Sequence, residues 1–234
     1  MHTDNRPPRT LAELDAAVAG CRACPRLVTW REGVAGTKAA FRGEEYWARP
    51  VPGFGPPDAS IAVVGLAPSA HGANRTGRMF TGDPSGDFLF RVLHEVGLAS
   101  QPTSTAIGDG LELYRTRLVS PVRCAPPENK PTPAERDTCR PWLAEELTLL
   151  RPTLRAIVVL GAFGWQALLP VLAAAGWPVP QPRPAFAHGA VVELDDLHLF
   201  GCYHVSPRNV QTRLVTHAMV AGVFRAAASV TGPN

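Results

Sequence analysis

The sequence has few of the features that mark a secreted, membrane-spanning or strongly basic protein. Its 234 residues include only 5 cysteines, and its formal net charge is +3. No apolar run approaches the roughly 20 residues that cross a bilayer, and the polar, proline-rich N-terminus lacks the apolar stretch of a secretory signal. A disulfide framework is therefore not expected, and the net charge alone does not identify a nucleic-acid-binding protein. These absences predict a cytoplasmic protein.

The composition and the pattern of apolar segments predict an α/β fold. Apolar residues make up 45% of the chain and charged residues 18%, which is enough apolar material for a substantial core. Short apolar strands alternate with helical patterns, as in a parallel sheet with helices on both faces. We predict strands at Ile61–Gly65, Leu113–Val122, Ala156–Leu160, Ala190–Leu194 and His198–Tyr203, and helices at 10–18, 85–96, 133–150, 162–175 and 209–228. Residues 1–9 are expected to form a disordered tail, 21–57 an irregular segment, and 10–234 one domain.

The segment between the first predicted strand and its helix is unusually long and polar. A plain connection of this kind has about two to six residues, whereas this one spans residues 65–83 and is called the long loop below. It follows a strand, so it lies at the carboxyl edge of the sheet, where open α/β folds bind ligands. Loops 120–130 and 203–213 follow later strands to the same edge. The long loop is therefore predicted to form a pocket.

Four of the five cysteines have a spacing that suits metal binding. Cys21 and Cys24 form a C-x2-C-P motif, and Cys124 and Cys139 lie far along the chain. Four thiolates suit either zinc or a [4Fe–4S] cluster, and they leave no coordination position open, which favours a structural role. Two separate pairs of free thiols are the alternative. Cys202 lies in an apolar strand and is expected to be a small buried residue.

Several motifs occur together in an order that resembles one known family. They are the long loop GLAPSAHGANRTGRMFTGD, the segment VRCAPPENKPTP, the motif HVSPRN and the four cysteines. Over about residues 15–225 the chain resembles family 5 of the uracil-DNA glycosylase superfamily, the iron–sulfur type often called UDGb. The resemblance implies a three-layer α/β/α sandwich with a central four-stranded parallel sheet. It also implies a [4Fe–4S] cluster on Cys21, Cys24, Cys124 and Cys139, with zinc as the alternative.

The resemblance implies a monofunctional glycosylase of base excision repair. Such an enzyme flips a damaged base out of DNA and hydrolyses its bond to the sugar, leaving an abasic site. Family 5 is associated with uracil, hydroxymethyluracil, ethenocytosine, hypoxanthine and xanthine. The expected partners are double- and single-stranded DNA, the expected location is the cytoplasm at the nucleoid, and a monomer is the default.

Three residues are predicted to be catalytic. Family 5 lacks the acidic or amide residue that activates water early in the long loop of other families, so Asp83 becomes the candidate for the water and the sugar cation. An N-cap of the following helix is the alternative role for Asp83. His204 matches the histidine of the second superfamily motif and would stabilise the departing base, although HVSP replaces the usual His-Pro-Ser. Asn129 would read the base edge or hold water, with a plain turn as the alternative.

Four further residues are predicted to contact the substrate. Phe80 matches the phenylalanine on which the flipped base stacks in the superfamily, with an ordinary core residue as the alternative. His71 and Asn74 would contact water or phosphate, or else hold the loop together. Ser120 occupies the position at which family 4 places a recognition asparagine, so a weaker contact there would fit a broad range of bases.

The ligand-side loops also supply candidates for binding DNA. Arginines in these loops, with Arg123 among them, would provide the local positive surface that the net charge does not show. Apolar and basic residues after His204 would form a wedge in the minor groove. The predicted DNA contacts are Arg75, Arg78, Val205, Pro207, Arg208 and Asn209.

Two other functions remain open from the sequence. The first is a non-catalytic nucleic-acid-binding iron–sulfur or zinc protein in which His71 and Asp83 are structural. The second is a relative that bonds covalently to DNA after excision. The known proteins of that kind carry a basic insertion ending in histidine beside the first motif, and this chain has no such insertion.

Overall fold

A computed structural model describes residues 10–232, so the predicted tail at 1–9 lies outside the described residues. Five strands form one sheet with the order 2-1-3-5-4. Neighbours among strands 1, 2, 3 and 5 pair in parallel, and strand 4 pairs antiparallel with strand 5 at one edge. The strands are β1 (Ile61–Val64), β2 (Thr116–Val119), β3 (Ala156–Leu160), β4 (Val191–Leu194) and β5 (Leu197–Cys202). The four parallel strands agree with the expected sheet. The sheet also has a fifth strand, β4, whose antiparallel pairing makes it a mixed sheet.

Eight α-helices connect or flank the strands within residues 10–232. They are α1 (Leu11–Ala19), α2 (Pro25–Gly33), α3 (Ala73–Thr76), α4 (Pro84–Glu95), α5 (Pro133–Leu150), α6 (Ala162–Ala174), α7 (Pro207–Gln211) and α8 (His217–Ser229). Short 3-10 turns occur at Ala39–Phe41 and Pro127–Asn129. None of the described helices is long and apolar enough to cross a membrane.

Helix caps explain where several helices begin. The Thr10 side chain accepts a hydrogen bond from the Glu13 amide at the start of α1. Thr132 and Glu135 form a complete capping box at α5, and Pro133 occupies the first turn, where its missing N–H costs nothing. The predicted boundaries of α5 are confirmed.

Three sequence predictions about local structure need correction. The segment predicted to be irregular contains α2, whose apolar residues are too few to give a helical period. The closing helix predicted at 209–228 is two helices, because Arg213 adopts a left-handed φ of +57° and Thr216 caps a new start. The second strand is shorter than predicted and begins after Arg115, which has a φ of +44°. Left-handed backbone conformations at non-glycine residues leave little trace in an apolar pattern.

The core lies in two layers, one on each face of the sheet. Alternate residues along β1 and β3 point to opposite faces, as the period of a strand requires. One layer packs against α4 and α8, and the other packs against α1, α5 and α6. This α/β/α sandwich leaves the carboxyl ends of the parallel strands free to carry the long loop and the loops after β2 and β5.

Candidate active site

A cavity of about 340 Å³ opens at the carboxyl edge of the sheet. Three segments that are far apart in the sequence meet around it: the long loop, the loop after β2 and the loop after β5. The residues lining it are Gly65, Leu66, Ala67, Pro68, Ser69, Ala73, Met79, Phe80, Asp83, Ser85, Ser120, Asn129, His204, Ser206 and Pro207. The long loop does form the predicted pocket, and five predicted site residues lie in its wall together with Pro207.

Phe80 forms one wall of the cavity and depends on a glycine beside it. Its backbone has a left-handed φ of +54°, which is costly for a bulky residue. Its ring packs directly on Gly65, where an added Cβ would lie 2.9 Å from the ring. The aromatic face is thus held at the cavity by a strained backbone and by the absence of a side chain at Gly65.

Asp83 caps α4 and also lines the cavity, so its alternative role as a helix cap is confirmed and its catalytic role stays a prediction. Its Oδ1 accepts hydrogen bonds of 3.0 Å from the amides of Ser85 and Gly86, which makes it the N-cap of α4. Its Oδ2 accepts a hydrogen bond from the Ser69 hydroxyl. The carboxylate also lines the cavity, so the cap fixes the direction in which its charge faces.

His204 lies at the end of β5 and also lines the cavity. Burial lowers the pKa of its imidazole, and the negative charge of Asp83 only partly opposes that shift. The ring is therefore neutral at neutral pH and can donate one hydrogen bond from one nitrogen. Its backbone carbonyl accepts a hydrogen bond of 2.8 Å from Asn209 Nδ2, which holds the strand end in place.

Ser120 and Asn129 come from the loop after β2. Ser120 is 2% exposed, and its hydroxyl donates to the Val122 carbonyl at 2.8 Å. That bond uses its proton, so its oxygen can present only lone pairs to the cavity. Asn129 is exposed at the rim, with a left-handed φ of +56°. The two residues thus offer a fixed acceptor and a free amide.

A second groove of about 760 Å³ adjoins the cavity, and the residues common to both are Ser69, Asp83, Ser85, Asn129 and Pro207. The structure places His71 in this groove and not in the cavity lining. The Tyr46 hydroxyl lies 2.9 Å from His71 Nδ1. Burial, followed by the nearby positive charges, lowers the pKa of the His71 imidazole.

The groove carries cations around an aromatic ring. The Arg75 guanidinium lies 4.0 Å from the centre of the Phe41 ring, and Lys38 Nζ lies 4.8 Å from it. Arg75 is also held by Glu44 at 2.7 Å and by the His71 carbonyl at 2.9 Å. Lys38 and Phe41 were missed from the sequence because nothing in their local pattern indicates that they face the long loop.

Three predicted contacts are corrected because their side chains are buried in the protein. Asn74 is fully buried, and its Nδ2 donates to the carbonyls of Arg31 and Ala70. Arg78 is 6% exposed and forms a double ion pair with Asp109 at 2.6 and 2.9 Å. Val205 is fully buried in the core, so it cannot act as a wedge.

Arg123 also fails as a surface cation, because it is 1% exposed and ion-paired with Glu146. Pro207 and Arg208 are exposed at the start of α7, where a wedge or a phosphate contact remains open to them. The Asn209 side chain holds the His204 carbonyl, so its amide nitrogen is already engaged within the protein.

The four predicted metal-binding cysteines line one small cavity. Burial raises the pKa of the Cys124 thiol to about 11 and that of Cys139 to about 12. Such thiols stay protonated at neutral pH unless a metal displaces the proton. Within residues 10–232 no three histidine, cysteine or acidic side chains converge tightly enough to hold a single metal ion.

The surroundings of these cysteines favour a negatively charged group. Arg31 is 2% exposed, and its Nη1 donates to Cys124 Sγ at 2.9 Å. Arg31 Nε and two nitrogens of Arg123 are buried without hydrogen-bond partners in the described part of the chain. Buried cationic N–H groups normally find partners. Four thiolates around a four-iron cluster, whose ligands stand further apart than those of one ion, would provide them.

Comparison with known proteins agrees with this geometry. The model of the uracil DNA glycosylase superfamily matches residues 52–227. The chain belongs to this superfamily. A type-5 uracil-DNA glycosylase from Mycobacterium tuberculosis is 51% identical over 95% of this chain and 82% of the relative. One from Thermus thermophilus is 51% identical over 92% of this chain and 95% of the relative. A type-4 uracil-DNA glycosylase from Pyrobaculum aerophilum is 30% identical over 55% of this chain and 57% of the relative. The resemblance to family 5 is confirmed.

Proposed function

We propose that the protein is a monofunctional uracil-DNA glycosylase of base excision repair. The observation that supports this most directly is the cavity itself, in which an aromatic face, a carboxylate and a neutral histidine converge. The type-5 relatives at 51% identity are named for the same activity. The cavity is large enough for a single base and too narrow for a duplex, so the base must be flipped to enter it.

The chemistry follows from the charges that develop during hydrolysis. A water oxygen bonds to C1′ of the deoxyribose, and the N-glycosidic bond breaks with its electron pair passing to the base. The added water gives up a proton and the base anion takes one up, so the products are the free base and an abasic sugar. The sugar becomes cation-like before water adds, so the Asp83 carboxylate stabilises it and orients the water. The Asp83 cap to α4 keeps that charge from turning away.

The departing base is stabilised from the other side of the cavity. Neutral His204 donates a hydrogen bond to a carbonyl oxygen of the base, which becomes more negative as the bond breaks. Phe80 stacks on the base face, and stacking accepts any planar base. The Ser120 oxygen offers the base edge only an acceptor, and the exposed Asn129 amide can turn to offer either its oxygen or its nitrogen. This undemanding recognition of the base edge supports a range of substrate bases that includes hydroxymethyluracil, ethenocytosine, hypoxanthine and xanthine besides uracil.

The DNA strand is proposed to follow the groove beside the cavity. Arg75 and Lys38 lie there around Phe41 and would contact phosphates, while Pro207 and Arg208 meet the duplex from α7. We expect activity on double- and single-stranded DNA. A monomer is expected, and a chromosomal substrate agrees with a cytoplasmic, nucleoid-associated enzyme.

Cys21, Cys24, Cys124 and Cys139 are proposed to hold a [4Fe–4S] cluster. When bound, it would supply four iron–thiolate bonds that fix the segment before α2 to the loop after β2 and to α5. Four protein ligands leave no position for substrate, so the role is structural. Visible absorption of the purified protein distinguishes iron from zinc, since zinc thiolates are colourless.

End-labelled duplexes with one uracil, ethenocytosine or hypoxanthine test the function. Each is incubated with the protein in the presence of a chelator and then treated with alkali. Strand breaks at the modified base only after alkali are expected, because a monofunctional enzyme leaves the backbone intact. Unbroken strands despite DNA binding would favour the second candidate, a non-catalytic nucleic-acid-binding metalloprotein. An adduct that survives a denaturing gel would instead indicate covalent capture.

A further inference from the structure

We propose that Asn74 is a positioning residue that ties the long loop, and through it Asp83, to the four-cysteine centre. The four-cysteine centre is defined by Cys21, Cys24, Cys124 and Cys139. This inference rests on the proposed function, because it assigns a consequence to the position of Asp83. A continuous set of hydrogen bonds joins the Cys124 thiol to the Asp83 carboxylate, and Asn74 lies at its middle.

The first part of this path lies on α2. Arg31 donates from Nη1 to Cys124 Sγ at 2.9 Å and from Nη2 to the Cys21 carbonyl at 3.1 Å. One side chain therefore contacts two of the three segments that supply the cysteines. A charge-assisted bond to a thiolate is stronger than one to a thiol, so a loaded centre would hold Arg31 more firmly.

The second part joins α2 to the long loop. Asn74 Nδ2 donates to the Arg31 carbonyl at 3.1 Å and to the Ala70 carbonyl at 3.4 Å. These two acceptors fix the orientation of the amide, because a reversed amide would place Oδ1 against both carbonyls. Asn74 Oδ1 is buried without a hydrogen-bond partner among residues 10–232. Burying an amide oxygen without a hydrogen-bond partner costs free energy, and the position that the Asn74 side chain gives to the long loop explains why it is buried.

The third part leads from Asn74 to the cavity. The backbone amide of Asn74 donates to the Ser69 carbonyl at 3.0 Å, and the Ser69 hydroxyl donates to Asp83 Oδ2. Gly72 lies against both Ser69 and Asp83, where a side chain would collide with them. The turn from Ser69 to Asn74 is thus packed against the proposed catalytic carboxylate.

The test uses the protein with its metal centre intact. Asn74→Leu removes the amide at similar volume, Arg31→Met removes the guanidinium, and the two are combined in a third variant. Val220→Ala, in the buried core of α8, is the matched control for general loss of stability. Each variant is measured by hydrogen exchange of the amides of residues 69–76, by visible absorption, and by kcat and KM on a uracil duplex.

We expect Asn74→Leu to raise the exchange rates of residues 69–76 by about 10-fold while the visible absorption is retained. It should lower kcat by about 10-fold with little change in KM, because the Phe80 platform is untouched. Arg31→Met should raise exchange in the same residues. The double variant should be no worse than the more severe single variant, because both interrupt one path.

The proposal is overturned if exchange at residues 69–76 is unchanged in Asn74→Leu, or is raised no more than in Val220→Ala. It is also overturned if the effects of Asn74→Leu and Arg31→Met multiply in the double variant. Hydrogen exchange needs no catalysis, so a failure of the glycosylase proposal would leave this readout to decide the path independently.

Discussion

The cavity and the four-cysteine centre both depend on the loop after β2, yet their polar groups are used in opposite ways. At the cavity, Ser120 and Asn129 keep hydrogen-bonding capacity free for a ligand. At the centre, Arg31 and Arg123 are buried and face thiols. An open site presents its unpaired groups to a substrate, whereas a closed site turns its charged groups inward against the thiols, away from any substrate. The same contrast divides the arginines of the long loop, because Arg75 reaches the groove and Arg78 is buried.

The largest expected effect is at the open site. Asp83→Asn keeps a side-chain acceptor for the cap of α4 but removes the charge. We expect kcat to fall by about 100- to 1,000-fold, the usual cost of removing an electrostatic contribution to the transition state. Single-turnover uracil release measures it. Thr132→Ala, which removes the cap of α5, is the control and should lose stability without this loss of rate. A similar rate in Asp83→Asn would leave Asp83 as a cap alone.

Replacing Arg78 and Arg75 in turn separates an arginine that is ion-paired in the interior from one that lines the groove. Arg78→Ala leaves Asp109 buried without its partner, which should lower the free energy of unfolding by about 3–5 kcal/mol. Arg75→Ala should lower the free energy of unfolding less, because its ion-pair partner Glu44 is exposed and keeps its hydration. It should also reduce the slope of DNA affinity against salt by about 1. Urea unfolding and binding titrations at several salt concentrations measure both. An equal loss of stability in the two variants would erase the distinction.

The pH dependence of the free energy of unfolding tests whether the His204 ring is neutral in the folded protein. The pKa of His204 in the folded state lies below the ordinary value of 6.5. Between these two pKa values the unfolded chain carries a proton on His204 and the folded chain does not. The contribution of His204 to the free energy of unfolding is therefore fully present above pH 6.5, and it is lost as the pH falls through the pKa of the folded state. His204→Gln should make the unfolding free energy depend less on pH over that window. His71 and His188 shift the same way, so part of the dependence should remain. An unchanged dependence would contradict a buried neutral ring.

The smallest expected effect is at Ser120. Ser120→Ala removes an uncharged acceptor at the base edge and the hydrogen bond to the Val122 carbonyl. Excision of uracil should therefore slow by less than about 10-fold. Ser120→Asn should narrow the range of bases, because an amide imposes a donor and an acceptor on the base edge. Relative kcat/KM values for uracil and hypoxanthine measure this. Equal changes for both bases would mean that Ser120 does not read them.

Much of the fold could be predicted because apolar periodicity directly reflects burial. The strands β1 and β3 and the helix α5 follow that signal, and the long loop was located by its length between two such elements. Asn74, Arg78 and Val205 were misplaced because a polar or apolar residue type does not say which way a loop turns it. Their orientation depends on partners such as Arg31 and Asp109, which are distant in the sequence.

Direct detection of the free base distinguishes a glycosylase from a protein that only binds DNA. A duplex with one uracil is incubated with the wild-type protein and with Asp83→Asn, and the released base is identified by mass spectrometry. We predict that the wild type releases free uracil and leaves an intact strand that alkali can break. Asp83→Asn should bind the duplex with similar affinity and release uracil much more slowly. Absence of free uracil from a metal-loaded wild-type protein that binds the duplex would contradict it.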